Sequence, residues 1–123
     1  MKKRVLCPER LRKVPAQFSW IDHRLVQENQ FTRCDHAAWT LYLFLVSVAD
    51  AEGLSYYSDA SLLRRLNLDQ GQLGSCREQL QRAGLVAYQK PFYQVLSLDA
   101  LPSARSGSLS VGELLRKALG GQP

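Results

Sequence analysis

Histidine is scarce in this sequence and its cysteines are scattered, which together leave little material for a metal or redox centre. Only His23 and His36 are present, and the three cysteines, Cys7, Cys34 and Cys76, are odd in number, widely spaced and without a CxxC pair. Zinc sites draw on clustered ligand pairs at short spacing, so neither a zinc ribbon nor a thioredoxin-like site is expected. Cys34-Asp35-His36 offers ligand types side by side, but no second pair completes a site. Three reduced thiols in a reducing compartment, with Cys76 buried as a small hydrophobe, is the simpler expectation.

Long apolar runs are also missing. The longest, Leu41 to Ala49, is broken by Ser47 and falls far short of the ~18 residues of a membrane span. The basic start, Met1 to Arg10, has no apolar stretch behind its charges, unlike a signal peptide. No membrane association and a cytoplasmic location are therefore expected. Catalytic constellations are absent as well: there is no Gly-rich phosphate loop and no paired-carboxylate motif. Asp22-His23 is a lone acid–imidazole pair without the nucleophile and orienting third group that covalent catalysis needs. A non-enzymatic protein without a cofactor is the expectation.

What the chain does contain is an ordinary core-forming composition and a lopsided charge. Its 123 residues, 46% of them hydrophobic, suit one domain with a real core. The net charge of +5 lies entirely in residues 1–13, where Lys2, Lys3, Arg4, Arg10, Arg12 and Lys13 face Glu9 alone; the rest of the chain is balanced. Such an arm is suited to phosphate contacts, or is simply a solvated tail.

Val14-Pro15-Ala16 breaks the chain after the arm, because proline disfavours helix in the residue before it. Phe18-Ser19-Trp20-Ile21 suits a strand or an apolar hook onto the core, and Asp22 to Val26 reads as one helical turn with Asp22 as N-cap. The first strong element runs from about His36 to Asp50, capped by Asp35. Ala38, Leu41, Tyr42, Leu45, Val46 and Ala49 recur at three- and four-residue spacing and mark its core-facing stripe. Trp39, Leu43, Phe44 and Val48 make the remaining surface apolar too. That pattern predicts a central helix, with Trp20 or a C-terminal helix over its far side.

After Gly53, Leu54 to Tyr57 is a short strand candidate. Ser58 opens a short amphipathic helix that turns Leu62, Leu63 and Leu66 inward. Asn67-Leu68-Asp69 is a turn, and Asp69 caps a helix of about Gln70 to Ala83 that buries Leu73, Cys76 and Leu80. Gly84 stands where a left-handed C′ residue belongs. Leu85 to Tyr88 and Phe92 to Leu98 then form a hairpin with Pro91 at its tip. Residues 99–108, with Pro102, Gly107 and three serines, read as a linker. Ser110-Val111-Gly112-Glu113 fits a capping box, and Leu109, Leu114, Leu115, Ala118 and Leu119 form an apolar face before Gly120-Gly121. The division is a basic arm at 1–17, an α+β domain at 18–98, a linker at 99–108, and a C-terminal helix and tail at 109–123.

The order of long helix, short strand, short helix, turn, helix, glycine and hairpin resembles the winged helix-turn-helix family over residues 35–98. Gly53-Leu54-Ser55-Tyr56-Tyr57-Ser58 through Leu80-Gln81-Arg82-Ala83-Gly84-Leu85-Val86 is similar to many bacterial members. Within the family, the nearest likeness is to replication-initiator-like and regulator proteins with an N-terminal apolar hook, here Phe18 to Ile21. The resemblance implies double-stranded DNA binding, in transcriptional control or in replication or mobilisation of a mobile element. The helix Gln70–Ala83 would then enter the major groove while the preceding helix braces it. Gln70, Gln72, Ser75, Gln79 and Arg82 would face base edges, with Glu78 also outward and Arg77 near the boundary. Arg64, Arg65, Lys90 and the arm cations would touch phosphates.

Two features pull the other way. Residues 35–98 hold five basic and six acidic groups, so the arm must supply the phosphate neutralisation that dominates affinity. Gly71 and Gly74 each cost the helix about 1 kcal/mol relative to alanine. The rival reading is a protein-interaction module that docks a partner through exposed aromatics among Tyr56, Tyr57, Tyr88, Phe92 and Tyr93. The C-terminal helix could equally pair two copies in a homodimer or fold back over the first helix.

Overall fold

Asp35 starts the longest helix: its carboxylate accepts a hydrogen bond from the Ala38 amide at 2.9 Å, one of the donors a helix N-terminus leaves unpaired. In this computed structural model, which describes residues 3–100, the helix is α2, His36–Val48. A single turn, α1 (Arg24–Gln27), precedes it. The order then continues with β1 (Leu54–Tyr56), α3 (Asp59–Leu66), α4 (Gln70–Arg82), β2 (Val86–Gln89) and β3 (Phe92–Val95). The architecture is α+β, with a three-stranded antiparallel sheet in the order β1-β3-β2.

Register follows from the hairpin and from burial. Tyr88 pairs with Tyr93 and Val86 with Val95, and on the other side Ser55 pairs with Tyr93. Tyr93, at the centre of both ladders, is 1% exposed. Leu41 and Leu45 of α2, Leu62 of α3, Leu73 and Leu80 of α4, and Leu85 before β2 are all completely buried around it. Each such side chain contributes about 1.5–3 kcal/mol of burial, so the core holds both helices of the pair α3–α4 against α2 and the sheet.

Two glycines occupy positions that require them. Gly84 ends α4 at φ +77°, and the Leu85 amide then reaches the Leu80 carbonyl at 3.0 Å, closing the helix. Gly53 adopts φ +85°, and a Cβ there would stand 2.6 Å from the Val95 carbonyl oxygen. This close approach lets the chain cross from α2 into β1.

The far side of α2 is covered differently from the sequence expectation. Phe18 and Trp20 are 65% and 73% exposed, and residues 18–21 form no strand. Trp39 is instead covered by a 3-10 turn at Gln30–Arg33. Its indole donates to the Phe31 carbonyl at 3.1 Å, and its ring meets Phe31 edge-on at 4.9 Å. Phe44 packs edge-on to Tyr57, while Leu43 remains half in water. The turn was illegible because Asn29, at φ +53°, redirects the chain without a glycine. Asp22 does cap the Arg24 amide, at 2.9 Å, although α1 itself begins one residue later than expected. The linker beyond residue 100 and the C-terminal helix at 109–123 lie outside the described residues.

Candidate nucleic-acid interface

The connection between α3 and α4 is fixed from both ends. Asn67 takes a left-handed conformation at φ +55° and turns the chain without glycine. Asp69 then forms a reciprocal capping box: its carboxylate accepts from the Gln72 amide at 2.8 Å, and the Gln72 carboxamide accepts from the Asp69 amide at 2.9 Å. Two donors of the α4 N-terminus are satisfied at once.

Arg77 holds α4 to its neighbours. Its guanidinium donates to Asp59 of α3 at 2.9 Å and to the Tyr93 hydroxyl of β3 at 2.7 Å, and it stacks over the Tyr88 ring at 4.3 Å. With 14% of its side chain exposed, it is a bracing group. The hydrogen bond from Arg77 holds the Asp59 carboxyl below its usual range. Burial pushes the Tyr93 hydroxyl up, against the pull of Arg77.

Gln79 ties α4 to the start of α2. Its Nε2 donates to Asp35 at 2.9 Å and to Ser75 at 3.1 Å, and its Oε1 accepts from the Asp35 amide at 2.8 Å. This bond from Gln79, with the Ala38 amide, keeps the Asp35 carboxyl low. Of the residues expected to read bases, Gln72 and Gln79 therefore have their carboxamides engaged inside the fold. Gln70 donates to Asp59 at 3.2 Å. Arg82 pairs with Glu78 at 2.7 Å, both largely in water. The i, i+4 spacing of Glu78 and Arg82 is the sequence signal for that pair.

What remains outward on α4 is a ribbon of Gln70, Gly71, Gln72, Gly74, Ser75, Glu78 and Arg82, all exposed. Its middle is open: a Cβ on Gly74 would meet nothing within 4 Å. Since space is free there, Gly74→Ala is expected to raise stability by about 0.5–1 kcal/mol through helix propensity alone. A urea titration checks this, and a lowered midpoint would mean that the site is crowded.

The cations surround this ribbon unevenly. Arg64 and Arg65 are exposed on α3, with Arg65 donating to Ser61 at 3.2 Å and lying 5.8 Å from the Tyr57 ring centroid. Lys90 is exposed at the hairpin tip. Lys3, Arg4, Arg10, Arg12 and Lys13 are exposed along an arm whose regular structure is one 3-10 turn, Pro8–Arg10; Lys2 lies outside the described residues. The N-terminal segment bonds to the body of the fold through Ser19, whose hydroxyl donates to the Ser47 carbonyl at 3.3 Å. That is the end of α2 opposite Asp35 and Gln79, and the arm residues 3–13 are all exposed. Extended, residues 3–17 span about 50 Å, enough to follow a ligand around the molecule.

The expected aromatic docking face divides. Tyr93 is buried and Tyr57 and Tyr88 are half-buried, while Tyr56 and Phe92 stay 70% and 53% exposed, with ring centroids 5.9 Å apart. Burial raises the Cys34 and Cys76 thiols, which keeps them protonated. Among the described residues, no group of three or more His, Cys, Asp or Glu is placed to hold a metal ion. No described helix is long and apolar enough to cross a membrane.

The described residues define a mixed α+β class, with four helices and a small antiparallel sheet among them, in an order compatible with a winged helix. Comparisons with protein-family models, curated proteins and solved structures return no match.

Proposed function

We infer that this protein is a winged helix-turn-helix that binds double-stranded DNA, with α4 as the recognition helix and the β2–β3 hairpin as the wing. One observation carries the reading: the polar ribbon of α4 faces solvent, uncovered by any described segment, while α3 and the hairpin brace the helix from behind through Arg77. A helix about 10–12 Å across fits the major groove in that arrangement. Ser75, Glu78 and Arg82 are the residues that meet base edges with least internal rearrangement, and Gln70 follows after releasing Asp59. Glu78 suits a cytosine amino group and Arg82 a guanine or a phosphate. Arg64, Arg65, Lys90 and the arm hold phosphates. The role is non-enzymatic and needs no cofactor, in transcriptional control or in replication or mobilisation of a mobile element.

Anisotropy titration against random duplex DNA tests the reading. With the six arm cations on phosphates, affinity should fall roughly a thousandfold between about 50 and 200 mM salt. Deleting residues 1–13 should remove most of that slope. Arg82→Ala should weaken binding further without lowering the melting temperature, because its pair with Glu78 is exposed and worth little to folding. No binding to duplex at low salt would refute the reading.

The second reading, a protein-docking module, is favoured by one feature, the exposed Tyr56–Phe92 pair at the end of the β1–β3 ladder. Under it, Phe92→Ser abolishes partner binding and leaves DNA irrelevant.

A further inference from the structure

A groove of about 620 Å³ lies between residues 18–24, the second half of α2 and the end of β3. No residue of α4 lines it, so what occupies it is a separate question from DNA binding. Its walls include Phe18, Trp20, Val46 and Val95, and Phe18 and Trp20 stand mostly in water. Leaving such rings exposed forgoes about 1.5–3 kcal/mol each. The lining is also acidic: Asp22, Asp50, Glu52 and Asp99 face one cation, Arg24. Arg24 bonds to both Asp22 and Asp99, so the groove keeps a net charge of −3.

The chain leaves from the groove itself. Leu98 is buried in its wall and Asp99 is held there by Arg24. Residues 101–123 follow, and among them residues 109–119 carry the apolar set Leu109, Leu114, Leu115, Ala118 and Leu119 with Arg116 and Lys117 against Glu113 alone. With Ser110 as its cap, a helix of about nine residues is marginal in water without a surface to pack on. A segment of net charge +1 that carries an apolar stripe is thus tethered beside an apolar groove of net charge −3.

We propose that residues 109–119 of the same chain seat as an amphipathic helix in this groove, covering Phe18 and Trp20 and setting Arg116 and Lys117 against Asp50 and Glu52. The same chain is favoured over a second copy because the linker 101–108 spans at most about 27 Å from its anchor at Asp99. So short a tether gives an effective concentration in the millimolar range, above that of a partner chain in ordinary solution.

The test uses the full chain labelled with 5-fluorotryptophan, whose two fluorine resonances are assigned with Trp20→Phe. In the intact protein the Trp20 resonance should lose most of its solvent isotope shift, independently of protein concentration. Leu114→Glu/Leu115→Glu should restore that shift and leave the Trp39 resonance, fixed against Phe31, where it was; Arg116→Glu/Lys117→Glu should restore it in part. A Trp20 resonance equally solvated in the intact chain and in both variants overturns the proposal. So does protection that appears only as sedimentation shows a dimer, since the occupant would then be the second copy.

Discussion

Gly53→Ala is expected to lower the melting temperature by roughly 10–20 °C, corresponding to about 2–4 kcal/mol in a domain of this size. Two costs add. A left-handed residue with a Cβ loses about 1–2 kcal/mol, and here that Cβ would stand 2.6 Å from the Val95 carbonyl oxygen. The neighbour cannot swing aside, because it is backbone and the Val95 amide donates to the Gly53 carbonyl at 2.9 Å. Relief requires β1 to separate from β3. Thermal melts followed by circular dichroism check this, and an unchanged midpoint would mean that the turn is not built as described. The contrast with Gly74→Ala, expected to stabilise, separates a glycine required by geometry from one tolerated in a helix.

Arg77→Met carries the second large effect. Methionine keeps much of the aliphatic stem over Tyr88 but strands the Asp59 carboxylate and the Tyr93 hydroxyl. Removing one partner of a fully buried ion pair costs about 3–5 kcal/mol. Asp59 is one-third exposed, so screening reduces the expected loss to about 2 kcal/mol. The pH dependence supplies an independent check. Arg77 lowers the Asp59 carboxyl from its ordinary value of 3.8. A depressed carboxyl stabilises the fold above its unfolded-state value, and that contribution disappears as pH falls through the folded-state value. Denaturant midpoints should therefore fall on acidification below about pH 4, and fall less steeply in Arg77→Met. Equal acid sensitivity in both proteins would show that Asp59 gains nothing from Arg77.

Features encoded within a few residues are legible in this sequence, and those that depend on distant partners are not. Asp35, Ser58 and Asp69 announce the starts of α2, α3 and α4 because capping acts over three residues, and each does accept the expected amide. Leu62, Leu73, Cys76 and Leu80 are buried as the helical period requires. Roles that the local pattern does not show depend on partners far along the chain. Gln79 looks like a free reader on its own helix, yet its carboxamide reaches Asp35, 44 residues away. Arg77 is committed to Asp59 and Tyr93 through contacts that no local pattern encodes. Trp20 or a C-terminal helix is expected over α2; Trp20 stays mostly in water, the turn carrying Phe31 covers Trp39, and the C-terminal helix lies outside the described residues. For the candidate site, the exposed flank of α4 is legible, and the Asp69–Gln72 spacing carries the signal for the capping role of Gln72, whereas the engagement of Gln79 has no local signal.

Gly71, Gly74 and Ser75 give α4 an outer surface with almost no side-chain relief, so a duplex could approach its backbone closely. The same feature leaves few side chains to specify sequence. Under the proposed DNA-binding role, affinity would depend on the arm and on Arg64, Arg65 and Lys90, and discrimination on Ser75, Glu78 and Arg82.

Amide chemical-shift mapping by NMR during titration with duplex DNA addresses this directly. Perturbations are expected along Gln70, Gly71, Gly74, Ser75, Glu78 and Arg82, at Lys90 and in the arm, with Leu73 and Leu80 little moved. Shifts confined to residues 3–17, or gathered around Trp20 and Asp50 while α4 stays silent, would contradict the assignment of α4 as the helix that enters the groove.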